Sequence, residues 1–237
     1  MNLLETSALC KHFGGVMALK DVNVRMAAGE TLGMIGPNGS GKTTFVNIVS
    51  GQLRADSGSL CFDGHDTRGQ QPHQLAVLGL TRTYQAVRVF AGLSVRDNVD
   101  SARLLLAGRG LDAGQLRELS LWLRLDRLQD KEAGSLTLFE QRRLELLMRL
   151  TQRPKLMMLD EPVGGLALTE VREMIELLQQ LKARCSIFVI EHTMRVIREL
   201  ADRVVVLMAG EKIADGPPAE ILRDKRVIEH YLGTAHA

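Results

Sequence analysis

The sequence predicts an α/β fold, in which a mostly parallel sheet is flanked by helices and carries an antiparallel β edge and an inserted helical subdomain. Compact apolar runs at Thr31–Ile35, Leu156–Leu159 and Ser186–Ile190 are typical of buried parallel strands. Alternating apolar and polar residues near the amino terminus are instead typical of antiparallel strands. Between residues 87 and 150 the strand-like runs stop, which favours a helical insertion.

The antiparallel edge rests on three segments. Leu3–Ala8 and Val22–Met26 alternate in hydropathy on either side of a turn at Gly14-Gly15, and Ser57–Gly64 has the same pattern. Val204–Met208 returns to the continuous apolar type, so we expect it to join the parallel sheet. Helices are predicted between the parallel strands, at Thr44–Ser50, Thr169–Ala183 and Thr193–Leu200.

The helical insertion divides one domain of 237 residues into two lobes. Residues 1–86 and 151–237 form the predicted core, and about 87–150 form the helical subdomain. Gly108-Arg109-Gly110 interrupts the insertion, and Asp112 is placed to cap the helix that follows. Apolar residues at helical spacing support the assignment; they are Leu104, Leu116, Leu119, Trp122 and Leu146.

Composition limits the classes of function. The net charge of +2 lacks the basic excess of a nucleic-acid-binding protein, and the cluster at Arg223–Arg226 is short and mixed in sign. No apolar stretch approaches the roughly 18 residues of a membrane span, so we expect a cytosolic chain. Cys10, Cys61 and Cys185 are widely separated and predict neither disulfides nor a metal site.

A phosphate-binding P-loop follows the first parallel strand, and it predicts a P-loop NTPase core. Each fixed position of the P-loop pattern is matched, and a predicted helix follows. The run consists of Gly36, Pro37, Asn38, Gly39, Ser40, Gly41, Lys42 and Thr43, with Thr44 next. Its backbone N–H groups would hold a nucleoside triphosphate, Lys42 would contact the β- and γ-phosphates, and Thr43 would bind Mg²⁺. The alternative is a glycine-rich turn that only joins strand to helix.

A second strand ends in two acidic residues. Asp160 and Glu161 follow Leu156–Leu159, as expected for the second half of a P-loop NTPase site. Asp160 would hold Mg²⁺ through its water shell, and Glu161 would orient and deprotonate the attacking water. Without the P-loop, the same pattern would describe a strand that merely reaches solvent.

Longer segments resemble the ATP-binding subunits of ABC transporters, closest to the importer ATPases for branched-chain amino acids and for urea or amides. The resemblance covers essentially the whole chain. The segments that carry it are Thr83–Phe90, Leu93–Val99, Val189–Met194, Pro218–Leu222 and Val227–Gly233. It implies an ATP-hydrolysing subunit that attaches to the inner face of the membrane through permease subunits. A solute-binding protein would be an indirect partner, which delivers the solute to the permease.

The resemblance also implies roles for three side chains. Phe13 would stack on adenine, Gln85 would join the Mg²⁺ and γ-phosphate region, and His192 would contact the γ-phosphate. The alternatives are a core phenylalanine, a loop amide and a surface histidine. Val87, Arg88, Val89 and Phe90 would line the groove for the permease's coupling helix, unless Val89 and Phe90 belong to the core.

Two positions depart from the family pattern. The signature segment is Leu136–Glu140, where Phe139 replaces a glycine that lets backbone N–H groups approach the partner's phosphate. Ala167 replaces the usual Asp or Asn after the acid pair. Both changes concern what the chain offers a second ATPase subunit, so we expect a heterodimer. A homodimer in which a small helix shift accommodates Phe139 is the alternative.

These features predict an ATP-driven importer subunit for amino acids or small amides, with ATP and Mg²⁺ as cofactors. One rival is a regulatory subunit that binds ATP with negligible turnover, which Phe139 and Ala167 would explain. The other is an ABC-type ATPase that acts on DNA or ribosomes, which the small basic excess disfavours.

Overall fold

The computed structural model describes residues 2–104, 111–224 and 227–228. The predicted interruption at Gly108-Arg109-Gly110, Lys225 and Arg226 of the charged cluster, and residues 229–233 of the carboxyl-terminal segment lie outside these ranges. None of the helices in the described part of the chain has the length and apolar character that a bilayer span requires.

Ten strands and eight α-helices are present among the described residues. The strands are β1 (Asn2–Phe13), β2 (Val16–Ala27), β3 (Thr31–Ile35), β4 (Ser57–Phe62), β5 (His65–Asp66), β6 (Leu80–Arg82), β7 (Leu156–Asp160), β8 (Ser186–Ile190), β9 (Arg203–Met208) and β10 (Glu211–Gly216). The helices are α1 (Lys42–Val49), α2 (Pro72–Leu78), α3 (Val95–Arg103), α4 (Ala113–Trp122), α5 (Leu138–Leu150), α6 (Leu168–Leu181), α7 (Met194–Leu200) and α8 (Pro218–Ile221).

The strands form two sheets, as the α/β prediction requires. An antiparallel sheet has the order β2-β1-β4-β5, and a six-stranded sheet has the order β10-β9-β3-β8-β7-β6. In the larger sheet all neighbours are parallel except β10 and β9. The predicted fold class, a mostly parallel sheet with an antiparallel β edge, is confirmed.

Alternate residues of the parallel strands fill two separate cores. In β8, Ile187 and Val189 belong to one buried cluster, whereas Phe188 and Ile190 belong to the other. Because side chains of a strand alternate between faces, both faces of this sheet are covered. Burial on both faces explains why these strands appear in the sequence as unbroken apolar runs.

The structure extends or adds several elements. Strands β1 and β2 are longer than predicted and contain register shifts, with left-handed backbone at Ala8 and Asp21. Such bulges break the alternation that marks a strand in the sequence. Strands β6 and β10 were not predicted, because one has only three residues and the other carries polar residues at Glu211, Lys212 and Asp215.

The helical insertion packs onto one face of the parallel sheet. Leu123, Leu125 and Ala133 belong to the same buried cluster as sheet residues such as Val206. Asp112 caps α4 as predicted, with Oδ1 accepting from the backbone N–H of Gln115 at 2.8 Å. Leu104 does not join this core, since its side chain is exposed. The limits of the subdomain stay a prediction.

The packing of α1 on the sheet can be tested by substitution. The rings of Phe45 and Phe188 are stacked with centroids 5.8 Å apart, and both side chains are fully buried. Phe188→Ala should lower the free energy of unfolding by about 3–5 kcal/mol, because it leaves a cavity under the helix. Phe188→Leu, which keeps most of the volume, should cost under about 1.5 kcal/mol. Urea denaturation measures both; equal costs would contradict this account.

Candidate nucleotide site

The loop between β3 and α1 is shaped by two glycines. Gly36 has φ 152°, and a Cβ built there would lie 2.1 Å from the carbonyl oxygen of Leu207. Gly41, the residue before α1, has φ 104°, and its Cβ would lie 2.5 Å from the carbonyl oxygen of Ala18. Neighbouring backbone therefore leaves no room for a side chain at either position, and the loop is held between β2 and β9.

Lys42 folds back over this loop. Its ammonium group donates to the carbonyl oxygens of Gly36 at 2.7 Å and Pro37 at 2.9 Å. Burial lowers the pKa of Lys42, and the negative charges of Glu161 and Asp160 oppose this shift. The lysine thus lies within electrostatic reach of both acids. The other side chains of the loop differ in exposure: Asn38 and Thr43 are exposed, Thr44 is half-buried and Ser40 is buried.

Glu161 contacts two of the other predicted site residues. It follows Asp160 at the end of β7, has a left-handed backbone with φ 49°, and donates its N–H to the carbonyl oxygen of Ile190. Its Oε2 accepts from Nε2 of Gln85 at 2.9 Å, and its Oε1 lies 3.6 Å from Nδ1 of His192. The structure therefore brings Gln85 and His192 each into contact with Glu161.

Phe13 lies at the end of β1, next to the turn that leads into β2. Its ring is half exposed, with the ammonium nitrogen of Lys11 5.6 Å from the ring centroid. The core alternative for Phe13 is therefore wrong. The same hairpin carries Ala18, which contacts Gly41 of the loop.

Three buried charged residues near the site were not given a role from the sequence. Arg82 pairs with Asp160 at 2.7 Å. Arg142 donates through Nη2 to the carbonyl oxygens of Gly164 and Gln85, at 2.6 and 3.4 Å. The immediate neighbours of the two arginines in the sequence are polar, at Thr81 and Thr83 and at Gln141 and Arg143, so no local pattern marked either arginine as buried.

Glu191 is the third buried residue. Its carboxylate accepts from the backbone N–H of Val163 at 3.3 Å and from those of His192 and Thr193 at 3.2 and 3.3 Å. Burial raises the pKa of Glu191, although these backbone donors oppose the shift. One carboxylate thereby connects the loop after β7 with the loop after β8.

The signature segment begins α5 with a capping box. Oγ1 of Thr137 accepts from the N–H of Glu140 at 3.2 Å, and the Glu140 carboxylate accepts from the N–H of Thr137 at 2.9 Å. Phe139 is only 7% exposed, and the guanidinium of Arg143 lies 4.6 Å from its ring centroid. The phenylalanine side chain therefore points into the helical core.

Ala167 occupies the residue before α6, where it provides no side-chain cap. Its backbone N–H instead donates to the Glu170 carboxylate at 2.9 Å. The next residue, Leu168, is 82% exposed. This stretch therefore presents apolar side chains where a polar residue was expected.

A groove of about 520 Å³ lies between the segment after Gln85 and helices α3 and α5. Val87, Arg88, Val89 and Phe90 all line it, as do Tyr84, Ser101, Ala102, Met148, Arg149 and Gln152. Phe90 is 55% exposed and is not a core residue, whereas Val89 packs partly against the helical core.

Glu145 lies under the segment that lines this groove. Its side chain is fully buried, and Oε1 accepts from the backbone N–H of Arg88 at 3.4 Å. Burial raises the pKa of Glu145 to about 7, while the guanidinium groups of Arg149 and Arg142 oppose the shift. A titratable carboxyl therefore supports the segment that begins at Gln85.

A P-loop between a parallel strand and a helix, with an acid pair at the end of a neighbouring strand, defines a P-loop NTPase. A model of the ABC transporter family matches residues 19–164, and a model described as branched-chain amino acid ATP-binding cassette transporter matches residues 211–237. The chain belongs to the ATP-binding subunits of the ABC transporter family. It is an ATP-binding chain of a family of ATP hydrolases.

Relatives and solved structures agree with this assignment. The branched-chain amino acid transport ATP-binding protein BraF of Pseudomonas aeruginosa is 33% identical over 98% of both chains. A probable LivG protein of Archaeoglobus fulgidus is 34% identical over 98% of this chain and 96% of its own. The ADP conformation of MJ1267, an ATP-binding cassette of an ABC transporter, has a TM-score of 0.88 and 28% identity, and covers 98% of this chain and 99% of its own. The resemblance inferred from the motifs is confirmed.

The raised pKa of Glu145 predicts how stability depends on pH. Between about 4.5 and about 7 the folded chain holds this proton more tightly than the unfolded chain, so stability falls as pH rises through that range. Glu145→Gln, which mimics the protonated side chain, should be more stable than the natural chain at pH 8 by about 1 to 3 kcal/mol and nearly equal at pH 5.

Urea denaturation at the two pH values measures this difference. Glu118→Gln, at an exposed carboxylate paired with Arg184, is the control and should change neither value appreciably. If Glu145→Gln and the natural chain lose stability in parallel between pH 5 and pH 8, the assignment to Glu145 is wrong.

Proposed function

We propose that this chain is the ATP-hydrolysing subunit of an ABC importer for branched-chain amino acids or related small amides. The contact of Gln85 and His192 with Glu161, beside Lys42 and Asp160, is the observation that carries the hydrolytic part. The solute class rests on the relatives, which are named as branched-chain amino acid transport proteins. The chain would lie at the inner face of the membrane, attached to permease subunits. A solute-binding protein would deliver the solute to those subunits.

In this proposal the P-loop holds ATP by its phosphates. Backbone N–H groups of the loop, except at Pro37, which has none, would converge with the amino end of α1 on one place, where they favour negative charge. Lys42 would exchange its contacts with the loop carbonyls for the β- and γ-phosphate oxygens. Phe13, half exposed on the neighbouring hairpin, would stack on the adenine ring.

The donor set also suits Mg²⁺. Asp160 and Thr43 offer the hard oxygen ligands that this ion prefers, and Gln85 offers an amide oxygen. Among the described residues, no group of three or more His, Cys, Asp and Glu side chains could hold a metal by itself. That suits Mg²⁺, which is commonly bound through one or two carboxylates together with substrate phosphates and water. When bound, the ion would neutralise charge on the phosphates.

Hydrolysis would use the side chains that meet at Glu161. The Glu161 carboxylate would orient a water molecule and accept its proton, within reach of the Nε2 donor of Gln85. His192 would donate a hydrogen bond to the γ-phosphate, and Lys42 would stabilise the charge that develops during transfer. Glu191 supports the His192 loop from below by accepting its backbone N–H groups.

A second ATPase subunit would complete the arrangement, with a heterodimer favoured over a homodimer. The residues of the chain's own P-loop site are all present, whereas Phe139 and Ala167 alter the two segments that would face the partner's nucleotide. ATP binding across such an interface would close the pair, and hydrolysis would reopen it. Negligible turnover, as in a regulatory ATP-binding subunit, is the alternative that the same two residues favour.

Turnover of Mg-ATP by the purified chain tests the proposal. The rate per chain is measured over a series of protein concentrations, with ATP binding measured in parallel. Glu161→Gln should keep ATP binding and lower turnover at least about a hundredfold, because it removes the general base while preserving shape. Equal turnover in this variant would contradict the role of Glu161.

The concentration series also separates the dimer alternatives. ATP binding without turnover, restored when a second ATPase subunit is added, would support the heterodimer. Turnover per chain that rises with concentration would support a homodimer in which Phe139 is accommodated. Binding without turnover in any mixture of subunits would support the regulatory alternative.

The groove predicts a variant that separates ATP hydrolysis from transport. Phe90→Asp places a charge on the 55% exposed side chain that lines it, so uptake of labelled leucine by the source cells should fall at least about tenfold. ATP binding should be unchanged. Val77→Asp, at a 51% exposed side chain on α2, is the matched control. Unaltered uptake with Phe90→Asp would refute the docking role.

A further inference from the structure

The guanidinium group of Arg82 connects three segments of the candidate site. Arg82 ends β6, the edge strand beside β7, and is 5% exposed as a side chain. Its Nη2 donates to Oδ2 of Asp160 at 2.7 Å, and Nη1 donates to Oδ1 of Asn47 at 2.6 Å and to Oγ of Ser50 at 3.1 Å. It also lies 5.0 Å from the centroid of the Tyr84 ring.

The partners of Arg82 belong to three parts of the candidate site: α1, the end of β7 and the segment before Gln85. Asn47 lies in the last turn of α1 and Ser50 directly follows it, in the helix whose first residues are Lys42 and Thr43. A cation near the carboxyl end of a helix is favoured by the helix dipole. Asp160 ends β7, and it is the only carboxylate that a side-chain hydrogen bond within the described residues connects to Arg82.

The planar fork of arginine is needed for this geometry. Two separate nitrogens of one guanidinium donate in different directions, one to a carboxylate and the other to neutral oxygens on α1. Both members of the ion pair are almost fully buried, with 5% and 11% of their side-chain surfaces exposed. A buried ion pair needs good geometry and further hydrogen bonds to offset its lost hydration. Nη1 and Nη2 of Arg82 make such bonds, whereas its Nε is buried without a partner among the described residues, so turning the carboxylate would break its bond to Nη2.

The segment leading to Gln85 is fixed at the same place. The Tyr84 ring lies close to two guanidinium groups, those of Arg82 and Arg88, the latter at 3.7 Å from its centroid. Its hydroxyl accepts from Nε2 of Gln52, just beyond α1. The backbone N–H of Thr83 donates to Met158 of β7 at 2.9 Å. Arg82 therefore joins Asp160, α1 and the start of the Gln85 segment.

We propose that Arg82 is a positioning residue that fixes the orientation of the Asp160 carboxylate for Mg²⁺. This inference rests on the proposed function, in which Asp160 holds Mg²⁺ through its water shell. Arg82 does not contact the nucleotide in this account. Disturbing Arg82 should therefore weaken ATP binding in the presence of Mg²⁺. It should not weaken the binding that the P-loop provides without the metal.

Arg82→Lys is the sharpest test, because lysine keeps the positive charge but cannot donate to Asp160 and to Asn47 in two fixed directions. ATP affinity is measured by calorimetry on the full chain, once with excess Mg²⁺ and once with EDTA. The dissociation constant with Mg²⁺ should rise about tenfold, the scale of one lost hydrogen bond to a charged group. The constant in EDTA should change less than about twofold, since the local charge is conserved.

Arg203→Lys is the matched control. Arg203 is also a partly buried arginine, and it pairs with Glu30 at 2.7 Å and with Asp215 at 2.5 Å. It is the first residue of β9, so it lies at the amino ends of the parallel strands, whereas Asp160 lies at a carboxyl end. The same chemical change there should leave the ratio of the two ATP dissociation constants unaltered.

Two results would overturn the inference. One is an unchanged ratio in Arg82→Lys, and the other is an equal rise of both constants, which would indicate a merely structural role. If Arg82→Lys fails to fold, Asn47→Ala decides, because it removes one support of the guanidinium and keeps the ion pair. Asn47→Ala should lower the ratio of the ATP dissociation constant in EDTA to that with Mg²⁺ about threefold. No change in this ratio would overturn the inference. A natural chain whose ATP binding ignores Mg²⁺ would instead contradict the proposed function itself.

Discussion

The parallel pairing of β6, β7, β8 and β3 is the constraint on which the candidate site depends. Parallel strands end at the same edge of a sheet, and these four are consecutive in the order of the larger sheet. Each is followed by a segment with functional groups: the Gln85 segment after β6, the acid pair at β7, Glu191-His192 after β8 and the P-loop after β3. Residues from distant parts of the sequence therefore meet where ligands bind in open α/β sheets.

Buried charged residues keep these four segments in register. Arg82 connects the end of β6 to Asp160 and α1, Glu191 connects the loops after β7 and β8, and Arg142 reaches the carbonyl oxygens of Gln85 and Gly164. Each of the three has a hydrogen-bond partner in a segment that belongs to a different strand, because an unpaired buried charge would be costly. The hydrophobic cores set the positions of the strands, whereas these polar contacts set the orientation of the loops.

Patterns that arise from local chemistry could be predicted from the sequence. Thr31–Ile35 and Ser186–Ile190 were predicted with their observed limits, because burial on both faces makes the whole strand apolar. The cap at Asp112 follows from a short-range hydrogen bond and was also predicted. Arg82 and Glu145 received no role, since their contacts with Asp160 and with the backbone of Arg88 span 78 and 57 residues of the chain and form only in the folded structure. Strand β10 was missed because it is an edge strand with polar residues.

The altered signature segment and the unaltered P-loop site can coexist because they belong to different elements. The chain's own site is built on strand ends, whereas Thr137 and Ala167 begin α5 and α6. Phe139 is accommodated by packing inward against Arg143, so it need not disturb β7 or the P-loop. What changes is the signature segment at the start of α5, where the buried ring of Phe139 stands at the position of a glycine. In the proposed dimer a partner's phosphate would meet that segment, while the chain's own nucleotide would not, and this asymmetry favours two unlike ATPase subunits.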